Sequence, residues 1–169
     1  MLVPGLLQTE DYARAVFSSR FGIKDDEIDQ QVAASLKRQE ILSREDPPAL
    51  WVILDESVLR RPVGGRLVIQ EQIDRLIEAS RHSHVSIQVI AADVGAHRGL
   101  WAGAFVIANF EAAPTVGYQE TACQGQFVDR QEDVEALADC WDNLVREALP
   151  WAASQALLEE AAKSWTTAT

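Results

Sequence analysis

The sequence has only two cysteines, Cys123 and Cys140, and no Cys-x-x-Cys pair. That excludes a disulfide framework and a zinc site of the usual spacing, so both are expected as reduced thiols. Histidine is as scarce. His82, His84 and His97 form no metal-ligand spacing, and neither a metal nor a cofactor is expected. Long apolar runs are missing too. Nothing approaches the roughly 20 residues that a membrane helix needs. Met1-Leu2-Val3-Pro4 has neither the basic start nor the apolar stretch of a secretory signal. A cytoplasmic chain with no membrane partner is the expectation. Positive charge is short: 15 Lys and Arg stand against 26 Asp and Glu, a formal net of −11. Such a chain repels phosphate, so direct nucleic-acid binding by this chain alone is not expected. Phosphate loops, Gly-x-Gly-x-x-Gly, Gly-x-Ser-x-Gly and His-Glu-x-x-His are all absent, which leaves catalysis without a motif.

What is present is organised around Leu50–Ile90. The apolar run Trp51-Val52-Ile53-Leu54 ends in Asp55-Glu56. Leu59-Arg60-Arg61-Pro62 and a Gly64-Gly65 turn follow. A helix is predicted from about Arg66 to Arg81, with Ile69, Ile73, Leu76 and Ile77 on one face and Glu71, Asp74, Arg75 and Glu78 on the other. Val85 to Ile90 is a second apolar run. Strand, helix and strand in this order predict a βαβ unit with parallel strands and a right-handed crossover.

Before this nucleus, Val3–Gln8 reads as an extended or turn segment and Thr9 as a helix cap. Tyr12, Ala13, Val16 and Phe17 form the apolar face of a helix that stops near Phe21-Gly22. A second helix starts at Asp25, carries Ile28, Val32 and Leu36, and runs toward Pro47-Pro48. After Ile90, residues 91–101 read as a loop. Residues 102–110 read as a strand, with Phe105 and Ile107 on one side and Val106 and Phe110 on the other. Thr115–Glu120 returns as a hairpin, and Thr121–Arg130 is polar and irregular. Two helices close the chain, Gln131–Ala148 and one from Pro150 whose stripe carries Trp151, Leu158, Ala161, Ala162 and Trp165. That stripe is expected to dock on the helix bearing Trp141; a homodimer interface is the alternative. The expected class is α/β: a small mixed sheet with a βαβ nucleus and a C-terminal antiparallel hairpin, flanked by four to five helices. One domain over 1–169 is expected, with an N-terminal helical segment at 1–48, the sheet nucleus at 49–120 and C-terminal helices at 131–165.

Several phrases together carry a resemblance. They are Val3-Pro-Gly-Leu-Leu-Gln-Thr-Glu-Asp-Tyr-Ala-Arg14, Arg38-Gln39 with Ile41-Leu42, and Leu54-Asp-Glu-Ser-Val-Leu-Arg-Arg-Pro-Val-Gly-Gly65. Gln88-Val89-Ile90, His97, Gly103 with Phe105, and Tyr118 with Glu120 extend it. The chain resembles the C-terminal domain of actinobacterial XRE-type helix-turn-helix transcriptional regulators, here without the DNA-binding part. The resemblance implies a role in regulating development or secondary metabolism and small acidic partner proteins. It implies no catalytic residues.

Seven residues are nominated as a ligand-binding set: Glu56, Arg60, Arg61, His97, Trp101, Tyr118 and Glu120. Glu56 ends the first strand, where a carboxylate orients a ligand, acts as a base, or simply pairs with Arg60 or Arg61. The two arginines suit an anionic ligand or an acidic neighbour. His97 and Trp101 lie in the loop after the second strand, and Tyr118 and Glu120 share one face of their strand. A right-handed crossover sets the ends of the two parallel strands side by side, so Glu56 and His97 are expected to approach one another. The expected function is a ligand-sensing or partner-binding domain of a transcriptional regulator, whose partner is a small molecule or small acidic protein. A stand-alone enzyme of natural-product biosynthesis and a protein-interaction scaffold remain alternatives.

Overall fold

A computed structural model describes residues 1–120 and 125–167, which fall into two compact units. One comprises Leu2–Val89 with Leu149–Thr169, the other Ile90–Ala148 with Met1. The class is α/β, with seven α-helices, a parallel two-stranded sheet and an antiparallel three-stranded sheet among the described residues.

The first unit contains α1 (Glu10–Ser18), α2 (Asp25–Gln39), β1 (Leu50–Asp55), α3 (Ser57–Arg60), α4 (Arg66–Ala79), β2 (Val85–Ile90, whose last residue starts the other unit) and α7 (Trp151–Thr167). The βαβ nucleus forms as the periodicity requires. Val52 and Leu54 of β1, Ile87 and Val89 of β2, and Ile69, Ile73 and Leu76 of α4 are buried in one apolar cluster. Each such side chain stabilises the fold by about 1.5–3 kcal/mol. Thr9 caps α1 as expected, its hydroxyl accepting from Tyr12 N at 3.3 Å.

The final helix packs on α4 and α3 through Leu158, Ala161 and the half-buried Trp165. The Trp165 indole donates to the Leu59 carbonyl at 2.8 Å, and Ser80, just past α4, donates to Gln155 at 2.7 Å. The two helices therefore run antiparallel. The expected partner, the Trp141 helix, belongs to the other unit. Trp151 lies on the right stripe but is 53% exposed. It precedes Gln155 by one turn, beyond the end of α4, so no turn of α4 covers it.

Within the segment read as extended or turn, Gly5–Leu7 form a 3-10 turn, and glutamines hold the whole segment. The buried Gln72 of α4 accepts from Thr9 N and donates to Leu7 O, both at 2.8 Å. Gln8 donates to Val3 O at 2.7 Å, and Gln39 donates to the carbonyls of Gly5 and Gln8 at 2.8 Å each. Tyr12 is fully buried beneath this turn, and its phenol is pushed above the usual tyrosine range by burial, against the hydrogen bond from Val3 N and the charge of Arg61.

The chain leaves this unit after Val89 and returns at Leu149. Those two residues are hydrogen-bonded, Leu149 N to Val89 O at 2.9 Å. Gln88 donates to Leu149 O at 2.9 Å, and Ser154 accepts from Val89 N at 3.1 Å.

The second unit contains α5 (Arg98–Ala102), β3 (Phe105–Ala108), β4 (Val116–Glu120), β5 (Gly125–Val128) and α6 (Gln131–Glu147). The strand order is β3-β4-β5, antiparallel throughout. The sequence reading missed β5, taking 121–130 as irregular. Gly125, Gln126, Phe127 and Val128 show no apolar-polar alternation, and four residues are too few to stand out against polar flanks. The loop expected at 91–101 contains the short helix α5, with a 3-10 turn at Ala92–Val94. Leu137, Cys140 and Leu144 form the buried face of α6. Burial raises the Cys140 thiol above its ordinary range, opposed by the charge of Arg98 and reinforced by Glu147. Cys140 is a free thiol, and Cys123 lies outside the described residues.

Candidate functional site

Three nominated residues lie in the first unit. Glu56 opens α3, and its Oε1 accepts from Arg60 Nε at 3.2 Å and Nη2 at 3.0 Å. The preceding Asp55 accepts from Ser57 N at 2.8 Å and from the Ser57 hydroxyl. Val58 and Leu59, between these pairs, are buried. Arg61 follows, exposed, with its charge felt by the Tyr12 phenol. At Gly64 φ is +70°, and a Cβ there would meet Val68 and Ala15 at 2.8–3.0 Å. The Asp-Glu-Ser-Val-Leu-Arg-Arg phrase thus builds the corner between β1 and α4: Asp55 through Arg60 each pair or pack locally.

The other four nominated residues lie in the second unit. His97 is buried just before α5, against Gly99, where a Cβ would come within 3.1 Å of the imidazole. Trp101, on α5, is 95% exposed. Tyr118 is central in β4, and Glu120 ends that strand with Gly125 as its backbone partner. Glu56 and His97 fall in different units. Shallow polar depressions among the described residues include one at Arg20–Ile23 with Glu27, Gln30 and Gln31 and another at Arg130–Glu132 with Glu135. Neither includes a nominated residue. Among the described residues no group of three or more His, Cys, Asp or Glu is placed to hold a metal ion, and no helix is long and apolar enough to cross a membrane.

The most unusual chemistry is apolar surface. The backbone register puts Val106, Tyr118 and Phe127 directly opposite one another, in one row across β3, β4 and β5. Partners in antiparallel register point to the same side of a sheet. The reverse side carries Ile107, Gly117 and Val128, and it faces α6: a Cβ on Gly117 would run into Leu137. Gly117 is what lets the helix sit that close. With α6 on one side only, Val106 remains 56% and Phe127 74% exposed. Leu100, Trp101 and Phe110 of the same unit are exposed as well.

The row is held in place. Tyr118 and Phe127 meet edge to face, ring centroids 5.6 Å apart and planes at 69°. The Tyr118 ring also lies over Gly125, in space a Cβ there would need. Of the nominated residues, the structure puts Tyr118 in this row, and Val106 and Phe127 are the members the sequence reading passed over. The alternation of β3 had separated Val106 from Phe105 and Ile107, but nothing in it said which side α6 would take.

No curated protein and no solved structure matches the chain. A model of the family described as domain of unknown function DUF5753 matches residues 1–160. With the whole βαβ unit and the whole three-stranded sheet inside that span, the chain belongs to the DUF5753 family.

Proposed function

We propose that the chain is a partner-binding domain of a transcriptional regulator, of the kind that accompanies XRE-type helix-turn-helix proteins. The observation that carries the reading is the exposed apolar row of Val106 and Phe127 flanking Tyr118, in a unit, Ile90–Ala148, that also exposes Trp101. Scattered single exposures are ordinary, but an ordered apolar row on a sheet face is the chemistry of a docking surface. The net charge of −11 supports action through protein contact rather than through DNA phosphate. The polar chemistry nominated from sequence supports the same choice, since Glu56 is engaged with Arg60 and forms part of a chain corner.

The test is complementation. Deleting the gene in its host changes a set of transcripts, and the wild-type chain, in its natural protein context, restores them. A Trp101→Ser/Phe127→Ser double variant is expected to stay folded and fail to restore them. Full restoration by that variant would refute the reading.

A further inference from the structure

We infer that the Val106–Tyr118–Phe127 face binds a basic protein segment that carries apolar side chains between lysines or arginines. The inference rests on the partner-binding reading and names the partner's chemistry.

Charge decides the class of partner. Residues 90–148 hold ten Asp or Glu against three Arg and no Lys, a formal net of −7 out of the chain's −11. One of the three, Arg130, is engaged by its own neighbours, Glu132 at 3.1 Å and Asp133 at 3.8 Å. The sheet places two further carboxylates at one end of the apolar row. β3 and β5 both run antiparallel to β4, so their C-terminal ends lie at the same end of the sheet. Glu111 follows β3 there, next to the exposed Phe110, and Asp129 follows β5, both carboxylates exposed.

An apolar row at an acidic rim selects on two counts. Val106, Tyr118 and Phe127 reward apolar side chains, while the rim and the field of the unit reward cations. A second copy of the chain would bring another unit of net −7 up against the first, and like charges in juxtaposition oppose that pairing. A small acidic protein meets the same repulsion here. A segment that alternates cationic and apolar residues in an extended conformation matches the row with one edge and the rim with the other. Tyr118 gains from its fixed position over Gly125, because an ordered ring loses little freedom on binding.

The experiment uses the full chain and a short synthetic peptide alternating Lys with Leu and Phe, with a counterpart in which Glu replaces every Lys. Binding is followed by calorimetry or fluorescence anisotropy. The Lys peptide is expected to bind at least about tenfold more tightly than the Glu peptide, and to weaken as salt rises. Phe127→Ser, at an exposed position with the melting temperature checked, is expected to weaken the Lys peptide by about tenfold or more. Leu67→Ser, at an exposed apolar position of the other unit, is expected to change nothing. Equal binding of the two peptides, or equal loss with Leu67→Ser, would overturn the inference, because attraction would then not localise to the row. So would a dimer in sedimentation that Phe127→Ser dissociates, which would make a second copy the occupant. If complementation depends on Phe127 while the Lys peptide shows no preference, the partner-binding reading stands and the basic partner falls. If complementation is also unaffected, both fall.

Discussion

Replacing Gln72 tests whether the segment before α1 is held by the glutamines. Gln72 is fully buried and spends both ends of its amide on that segment, Leu7 O and Thr9 N, each at 2.8 Å. Gln72→Met keeps nearly the same length and volume, so little cavity arises and the loss is polar. Leu7 O is left buried without its donor, at a cost of about 1–3 kcal/mol. Thr9 is only half-buried, so water partly replaces its acceptor and adds about 1 kcal/mol. For a chain of this size a total near 3 kcal/mol lowers the melting temperature by roughly 6–12 °C. Gln72→Glu adds a signature. At neutral pH a carboxylate faces the Leu7 carbonyl and repels it, so Glu should cost more than Met. Once protonated, the acid can donate to Leu7 O and accept from Thr9 N as the amide did. Its folded pKa is therefore raised, and the stability of the protonated form is present at low pH and lost as pH rises through that raised value. Thermal melts of wild type, Met and Glu variants across acid to neutral pH decide it. A Met variant melting within about 1 °C of wild type, or a Glu variant whose deficit is flat with pH, would refute the clamp.

Other outcomes are equally specific. Ile73→Ala and Leu76→Ala, at fully buried positions, should each cost about 2–5 kcal/mol in urea titrations, and an unchanged midpoint would mean α4 does not cover the sheet. Trp165→Ala should cost about 2–4 kcal/mol through lost packing and the lost bond to Leu59 O, with no change in sedimentation. Because burial raises the Tyr12 phenol, its share of stability is complete below the unfolded value near 10.0 and is lost as pH rises through the higher folded value. Tyr12→Phe should remove that alkaline step from the pH–stability curve. The isolated chain should give no mobility shift with duplex DNA at physiological salt, and a specific shift at nanomolar protein would contradict the charge argument.

The nucleus was legible because period and burial coincide there. Ile69, Ile73 and Leu76 recur at helical spacing, and each is buried where the pattern placed it. Thr9 was legible as a cap for a similarly local reason. The strands after Ile90 were harder. β3 and β4 were readable from alternation and aromatic content, but β5 depends on Tyr118 covering Gly125, a contact between strands that no window on 121–130 contains. The neighbour of α7 was misjudged because a stripe states that a face is buried and not against what. The candidate site was the least legible part. Glu56, Arg60 and Arg61 carry the residue types of a binding site, yet Glu56 and Arg60 satisfy each other. Phe127 carries the type of a core residue and lies in the open. Residue type alone does not separate those cases; a local ion pair decides the first, and the side of the sheet taken by α6 decides the second.

The hydrogen bond between Val89 and Leu149 has an evolutionary reading. Everything from Ile90 to Ala148 is an excursion that departs from and returns to a single pair of residues. A stem closed in this way bears the cost of loop closure once, and added length inside it costs only a logarithmic increment. Strands can lengthen, turns can be exchanged and the charge of α6 can be rewritten without asking α7 to find a new seat on α4. The core that folds the protein and the surface proposed to dock a partner are then free to diverge at different rates. Descendants of one ancestor would keep the glutamine clamp and the βαβ nucleus while the excursion varies in length and charge.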